Sequence, residues 1–125
     1  MAREKILDNK VLDFLKSIGA WRLKYWAGSA YTKSGVPDIL ACVSGSFVAV
    51  EDKAKTGKPT LLQLKNLEWI RDAGGYGILL YPDDFDNFKR FINEISETND
   101  FSDWARMWYA SNISAQKAWK EKLSK

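Results

Sequence analysis

The chain has 125 residues, a formal net charge of +3 and a composition that is 46% hydrophobic and 28% charged. These values predict one globular domain, residues 1–125, and exclude a disordered segment. Histidine is absent, which excludes His-ligated metal sites and Ser-His-Asp hydrolases, and the single cysteine cannot form an internal disulfide. No apolar stretch resembles a signal peptide or reaches membrane-spanning length, so we expect a cytoplasmic protein without a membrane partner.

The first half of the chain predicts a helix and three strands. Apolar residues recur at helical spacing before Gly19, and two later apolar runs flank Ser44-Gly45-Ser46, which predicts a hairpin. We expect Cys42, inside the first of these runs, to be buried packing. The predicted bounds are 3–17 for the helix and 21–27, 38–43 and 47–53 for the strands.

The second half predicts a helix, a strand, a helix and a helical tail. Thr60 and Gln63 have the spacing of a capping box, which predicts the start of a helix. Gly74-Gly75 predicts the end of the same helix. The next apolar run is nearly continuous, which predicts an interior strand. We expect the helix to end near Ala73, the strand over 76–81, a helix from Pro82 to about Ser96, and two helical pieces from Asn99 onward. Tryptophans in the tail predict packing, with a dimer interface as the alternative.

Polar residues gather around the predicted hairpin. Asp38 begins one strand, and Glu51-Asp52-Lys53 ends the next. Glu51 and Lys53 share a face of their strand because they are two residues apart, and Asp52 points the other way. A hairpin loop of two or four residues places Asp38 opposite Glu51, whereas a three-residue loop places it opposite Asp52. The even register therefore brings two acids and one amine together.

Two carboxylates and a lysine in this arrangement predict a phosphodiester-cleaving site. Hard oxygen ligands suit Mg²⁺ or Mn²⁺, which polarise a phosphodiester and activate water, and Lys53 is placed to orient that water or to neutralise phosphate charge. Glu4 lies at the edge of the apolar stripe of the first helix, and Gln63 lies on an inward helix face. Both also have structural interpretations, as a first-turn charge and a capping residue. Asp38 can be a turn residue, and Glu51 with Lys53 an exposed ion pair.

Basic residues flank the proposed site without intervening acids. The charges between Asp13 and Asp38, and then between Asp52 and Glu68, are all positive, and they are Lys16, Arg22, Lys24, Lys33, Lys53, Lys55, Lys58 and Lys65. A phosphate backbone favours this distribution, because neutralised phosphates release counterions. We expect Lys24, Lys33, Lys55 and Lys58 to bind DNA phosphates, with solvated basic loops as the alternative.

Several motifs in fixed order resemble one nuclease family. They are Gly35-Val36-Pro37-Asp38, Glu51-Asp52-Lys53, Gly57-Lys58-Pro59-Thr60, Gln63 and Gly74-Gly75. Together they resemble the VRR-NUC family of the PD-(D/E)XK nuclease superfamily, over about residues 2–91. The resemblance implies an α/β fold with a restriction endonuclease-like core, a mixed β-sheet flanked by helices in the order αβββαβ. Residues 99–125 form a C-terminal helical extension outside the motifs.

The resemblance also implies an activity and partners. It implies Mg²⁺- or Mn²⁺-dependent hydrolysis of DNA, with Asp38 and Glu51 as metal ligands, Glu4 as the first-helix acid, Lys53 as the catalytic lysine and Gln63 as the glutamine of the following helix. We expect Glu4 to aid a second metal ion or an outer-sphere water. Small stand-alone members are similar to phage proteins that act as homodimers on branched DNA such as four-way junctions. The expected function is therefore a structure-specific endonuclease resembling a Holliday junction resolvase, located in the host cytoplasm if phage-encoded.

Asp52 departs from the family pattern, in which an apolar residue usually precedes the lysine. Its backbone carbonyl can still serve as a metal ligand, but its acidic side chain needs solvent or a basic partner on the other face of the sheet. A changed site would favour the rival interpretation, a non-catalytic DNA-binding module that retains the nuclease fold. Such a module would use the same lysines and stack bases on Trp26 and Tyr31.

Overall fold

The computed structural model describes residues 3–26, 33–98 and 100–125, with side chains described from residue 5 onward. It is a mixed α/β structure in which helices flank a sheet. The elements are α1 (Arg3–Ser17), β1 (Trp21–Lys24), β2 (Ile39–Val43), β3 (Ser46–Asp52), α2 (Leu61–Asp72), β4 (Tyr76–Leu80), a 3₁₀ turn (Pro82–Asp84), α3 (Phe85–Glu97) and α4 (Asp103–Leu123). The predicted order of helices and strands is confirmed as far as α3, although β1 ends three residues earlier than expected.

The β2–β3 hairpin has the even register. Val43 pairs with Ser46 across a two-residue turn, and Ile39 pairs with Val50 at the other end of the ladder. Both turn residues have positive φ angles, 48° at Ser44 and 86° at Gly45. This backbone matches the right-handed twist of paired strands and favours glycine at the second position. The turn therefore fixes which strand residues face each other at the far end.

The described strands form one mixed sheet in the order β1-β2-β3-β4. The first two pairings are antiparallel, and β4 runs parallel to β3. The prediction of an interior strand is wrong for β4, which lies at the sheet edge. Its residues are apolar on both faces because helices cover both: α1 and α3 pack on one face, and α2 packs on the other. The continuous apolar run therefore indicates that both faces of β4 are buried. It does not indicate whether the strand is central or at the edge of the sheet.

The larger core lies between the sheet and the helices α1 and α3. Val11 of α1 and Phe88 of α3 are fully buried there, against Val48 and Val50 of β3. The smaller core lies under α2, where Leu67 approaches the sheet so closely that a Cβ added at Gly77 would lie 2.6 Å from its carbonyl oxygen. Alternate residues of β3 therefore face different helices, which decides the surroundings of its last three side chains.

Helix α4 covers the outer edge of β4 with side-chain amides. Asn112 accepts a hydrogen bond from the Leu79 N–H (3.0 Å) and donates one to the Leu79 carbonyl (2.8 Å). Gln116 donates to the Gly77 carbonyl (2.9 Å), and the Tyr109 hydroxyl accepts from the Gly77 N–H (3.2 Å). These side chains replace the neighbouring strand that an edge otherwise lacks. The expectation of two helical pieces after Asn99 is wrong, because this docking holds the tail as a single helix.

The tail tryptophans pack as expected. The Trp108 ring lies 5.0 Å from the Phe91 ring and 6.3 Å from the Trp104 ring, centre to centre. Its Nε1 donates to a carboxylate oxygen of Asp84 at 3.0 Å. These contacts connect α4 to α3 and the 3₁₀ turn.

Cys42 is exposed, so its prediction as buried packing is wrong. It lies on the same face of the sheet as its two pairing neighbours, Trp21 and Phe47, which are 59% and 44% exposed. Leu23, two residues from Trp21 and 46% exposed, adds to this surface. We call these four residues the open sheet face. Over the described parts of the chain, no helix combines the length and apolar content needed to cross a membrane.

Candidate active site

The loop before β2 is anchored on α2, and this anchor sets the position of Asp38. Gly35 has a φ of 76°, and a Cβ added there would lie 2.5 Å from Cγ of Leu62 and 2.9 Å from Nδ2 of Asn66. Glycine is therefore required for both backbone conformation and close approach. Pro37 is buried, and the Asp38 carbonyl accepts from the Tyr25 N–H at 2.8 Å, which extends the β1–β2 pairing by one residue.

Asp38 and Glu51 meet at the end of the hairpin, as the even register predicts. Their side chains are hydrogen-bonded to each other, with Glu51 as the proton donor. Asp38 Oδ2 also accepts from the backbone N–H of Asp52 at 2.8 Å. Asp38 is half-buried, whereas Glu51 is 1% exposed. Two acids from neighbouring strands are thus held in direct contact before any ligand arrives.

Lys53 joins the two acids from the residue after β3. Its Nζ lies 3.4 Å from Glu51 Oε2, and both side chains are buried. Its backbone N–H donates to the Leu80 carbonyl at 2.9 Å, so the parallel pairing with β4 continues past the last strand residue. The predicted trio of Asp38, Glu51 and Lys53 is therefore brought together on one face.

Burial and mutual repulsion keep the two acids from both being ionised. The pKa of Glu51 rises from 4.5 to about 9, first because the carboxyl is buried and then because of the charge and hydrogen bond of Asp38. Burial also raises the pKa of Asp38, although the hydrogen bonds from Glu51 and from the Asp52 backbone partly offset it. At neutral pH the pair retains a proton on Glu51. Nearby Lys53 lowers both pKa values, but by less than burial raises them.

Asp52 points to the opposite face of the sheet, as its strand position predicts, and meets Asp8 of α1. Asp52 is 1% exposed, and neither of its oxygens has a hydrogen-bond donor among the described residues. Burial raises the pKa of Asp52 well above its usual range, and the hydrogen bond and charge of Asp8 raise it further. Burial and the neighbouring Asp8 therefore both disfavour the charged form of the Asp52 carboxyl.

Asp8 is a residue of this site that sequence reasoning missed. It is 5% exposed, and Lys24 of β1 donates to its Oδ2 at 2.5 Å. The signal was present in the sequence, because Asp8 lies three residues before Val11 and seven before Leu15, inside the apolar stripe of α1. An acid there needs a buried partner.

Two further predicted residues occupy helices. Gln63 forms the capping box of α2: its Oε1 accepts from the Thr60 N–H at 2.9 Å, and its own N–H donates to Thr60 Oγ1 at 3.1 Å. The structural interpretation of Gln63 is confirmed, and its catalytic role stays a prediction. The backbone of Glu4 belongs to α1, but its side chain lies outside the described residues, so its metal-binding role also stays a prediction.

The four predicted DNA-binding lysines differ in their surroundings. Lys33, Lys55 and Lys58 are exposed. Lys24 is bound to Asp8, and its Nζ lies 4.9 Å from the centre of the Trp26 ring. A phosphate would have to compete with Asp8 for this ammonium, so we expect Lys24 to contribute less than the three exposed lysines.

The donor atoms at Asp38 and Glu51 fit a divalent cation. Two carboxylates share one proton there, and Glu51 Oε1 is buried without a hydrogen-bond donor among the described residues. A cation would replace the proton and offset the charge of Asp38 that raises the pKa of Glu51. Within residues 5–26, 33–98 and 100–125, no three acid or cysteine side chains converge as a metal-binding group. Further ligands would therefore come from the Asp52 backbone carbonyl, water or substrate.

Comparisons of the chain with protein-family models, with curated proteins and with solved structures find no match, so the resemblance to the VRR-NUC family stays a prediction.

Proposed function

We propose that this protein is a Mg²⁺- or Mn²⁺-dependent endonuclease that hydrolyses DNA phosphodiester bonds. The observation that carries the proposal is the contact between Asp38, Glu51 and Lys53 at one end of the β2–β3 hairpin. Two carboxylates that share a proton beside a buried lysine are an unfavourable arrangement for stability alone. Perturbed acids of this kind gather at functional sites, where a ligand supplies the missing charge.

Each residue has a distinct part in the proposed mechanism. Asp38 and Glu51 would hold the cation, and a bound cation would supply polarisation of the scissile phosphate and activation of water. Lys53 orients the attacking water or stabilises the negative charge that develops on the phosphate. The exposed Lys33, Lys55 and Lys58 bind flanking phosphates.

The proposal includes a fold assignment, a restriction endonuclease-like core of the VRR-NUC type. In support, an antiparallel hairpin carries the acids, a helix packs on each face of the sheet, and a parallel strand follows the intervening helix. The close contact of Gly35 with α2 also explains why the Gly-Val-Pro-Asp motif begins with glycine.

The test is cleavage of labelled four-way junction, flap, duplex and single-stranded DNA in Mg²⁺ and in Mn²⁺. We expect metal-dependent cutting that Asp38→Asn and Lys53→Met each reduce at least about 10³-fold, because both remove groups aimed at the reacting phosphate. Asp72→Asn and Lys16→Gln are matched controls, since they change the same charges at exposed positions away from the site. Preferential cutting of the junction would support a resolvase. Equal cutting of all duplexes would support a general nickase.

A non-catalytic DNA-binding module is the second candidate function. The protonated Glu51 favours it, because a neutral carboxyl at pH 7 binds metal weakly. In the same experiment, tight DNA binding without cutting at any metal concentration would exclude the enzyme. Cutting that both site variants lose would exclude the module.

We further propose that two copies associate through the open sheet face. One chain carries one set of Asp38, Glu51 and Lys53, so symmetric cutting of two strands needs a two-fold dimer. The exposed Trp21, Leu23, Cys42 and Phe47 form a contiguous surface without charge, which is typical of a protein interface.

Sedimentation velocity tests the dimer at micromolar protein concentration. We expect the wild type to sediment as a dimer and Trp21→Lys as a monomer, because a lysine would be buried in the apolar interface. Trp26→Lys is the matched control, since Trp26 is 67% exposed and lies beyond the end of β1. A monomeric wild type, or equal behaviour of the two variants, would contradict this interface.

A further inference from the structure

A small pocket lies between α1 and the segments that follow β3 and β4, and one of its lining residues, Lys55, is two residues from Lys53. Its lining consists of Ile6, Leu7, Lys10, Lys55 and Pro82, and its volume is about 230 Å³. Pockets for drug-sized ligands usually occupy roughly 300–1,000 Å³. The space therefore fits one flat ring system or one sugar better than a whole cofactor.

The chemistry of this pocket suits an anionic ligand with an apolar part. Ile6, Leu7 and Pro82 supply the apolar surface, and Ile6 is 46% exposed, so it is accessible from solvent. Lys10 and Lys55 supply two exposed ammonium groups. A nucleotide combines these properties, because its base is largely apolar on both faces and its phosphate is charged.

The position of the pocket connects it to the proposed catalytic lysine. Lys55 follows Lys53 by two residues, which limits their Cα separation to about 7 Å. One nucleotide of a DNA strand advances roughly 3.4 Å along the helix axis. Leu7, on the other side of the pocket, precedes Asp8, which contacts Asp52. A strand held at Lys53 would therefore reach the pocket within a few nucleotides.

We propose that this pocket is a subsite for one nucleotide of the DNA strand, one to three positions from the scissile phosphate. Lys10 and Lys55 bind the phosphates on either side of that nucleotide, and Ile6, Leu7 and Pro82 contact its base. This inference rests on the proposed nuclease function. The subsite adds Lys10 and the apolar contact to the DNA-binding surface. Because it lies to one side of the scissile phosphate, it also fixes the direction in which the strand binds.

The first test measures DNA binding without requiring cleavage. A labelled single-stranded oligonucleotide is titrated in Ca²⁺ over a range of salt concentrations, with its integrity checked on a denaturing gel. Each phosphate contact on single-stranded DNA contributes roughly 0.7 to the slope of log affinity against log salt. We expect the double variant Lys10→Gln/Lys55→Gln to lower that slope by about 1.4. The control Lys16→Gln/Lys125→Gln removes the same charge at exposed positions outside the pocket and should leave the slope nearly unchanged.

The second test locates the base. An abasic nucleotide is moved along the oligonucleotide one position at a time, and binding is measured for the wild type and for Ile6→Ala. Because loss of the base removes its contact with the apolar wall, we expect about tenfold weaker binding when the abasic nucleotide occupies the pocket. Ile6→Ala removes part of the apolar wall. In this variant, the abasic nucleotide at that position should therefore lower the DNA affinity by much less than tenfold. Thermal unfolding of each variant checks that the fold is retained.

The outcomes separate this inference from the proposed function. A lower slope with a position-specific abasic effect supports the subsite even if no metal permits cutting. Metal-dependent cutting with slopes equal for the two double variants overturns the subsite and leaves the nuclease intact. Thymidine monophosphate serves as a further probe: if only its affinity falls in the double variant, the pocket binds free nucleotides and the strand proposal is overturned.

Discussion

Glu51→Gln should stabilise the protein at pH 8 while abolishing DNA cleavage. The pKa of Glu51 rises to about 9 in the folded chain, whereas the unfolded chain titrates near 4.5. Between these values the folded state holds a proton that the unfolded state releases, so stability falls as the pH rises. Glutamine has no proton to lose and removes this contribution. We therefore expect a Tm increase of at least about 4 °C at pH 8, roughly the effect of 1 kcal/mol in a domain of this size.

Measurements at several pH values make this prediction specific. At pH 4.5 the wild type and Glu51→Gln should melt within a few degrees of each other, because Glu51 is protonated in the folded state at that pH. The wild-type Tm should fall from pH 5 to pH 9, and the variant should fall less steeply. Asp38 and Asp52 also have raised pKa values, so some decline with pH remains in the variant. Glu121→Gln, at an exposed position of α4, is the control for loss of one acid.

Mg²⁺ should act in the opposite direction from the proton. A cation that binds the folded site stabilises it by mass action, and we expect its effect on the wild-type Tm to grow from pH 6 to pH 9 as protons compete less. Glu51→Gln should lose both this Mg²⁺ response and at least about 10³-fold in cleavage rate. A wild-type Tm that does not depend on pH or Mg²⁺ would contradict our account of the acid pair.

Asn112→Leu should destabilise the protein by about 2–5 kcal/mol. Leucine has the same branched shape and number of side-chain heavy atoms as asparagine, so the substitution mainly removes the two hydrogen bonds to Leu79 and the one from Gln116. The N–H and carbonyl of Leu79 then remain buried without partners, and each such group costs roughly 1–3 kcal/mol. Urea unfolding measures this loss. Amide exchange at Leu79 should also accelerate strongly, because that N–H loses its acceptor.

Ser114→Leu provides the matched control for α4. It introduces the same side chain at an exposed position of the helix, two residues away from Asn112. We expect a change within about 0.5 kcal/mol, as is usual for surface substitutions. If Asn112→Leu and Ser114→Leu had equal stabilities, α4 would not be needed to cover the edge of β4. Aggregation of Asn112→Leu alone would instead indicate that the exposed edge pairs with other chains.

The candidate site could be predicted from sequence to the extent that local geometry decides it. Glu51 and Lys53 share a face because they are two residues apart, and the Ser44-Gly45 turn places Asp38 beside Glu51. The capping role of Gln63 follows equally from its spacing to Thr60. In each case the partners lie within one turn or one hairpin, where few backbone conformations are available.

The contact between Asp8 and Lys24 could not be predicted in the same way. Their contact joins α1 to β1, and it depends on how the helix packs across the sheet. The pairing of Asp8 with Asp52 adds a third element. Long-range packing of this kind decides whether Lys24 is available to phosphate.

The sequence by itself predicted the order of the elements as far as α3 and the three residues of the candidate site, because periodicity, turn chemistry and short spacings act locally. It left two hairpin registers open, and the structure has the even one. Only the tertiary structure decided that β4 lies at the sheet edge, that α4 is one helix covering that edge, and that Cys42 is exposed. An apolar run reports how much surface must be buried, but not which element buries it. That choice depends on contacts between residues far apart in the chain, such as Asn112 with Leu79, and the sequence pattern near either residue does not encode it.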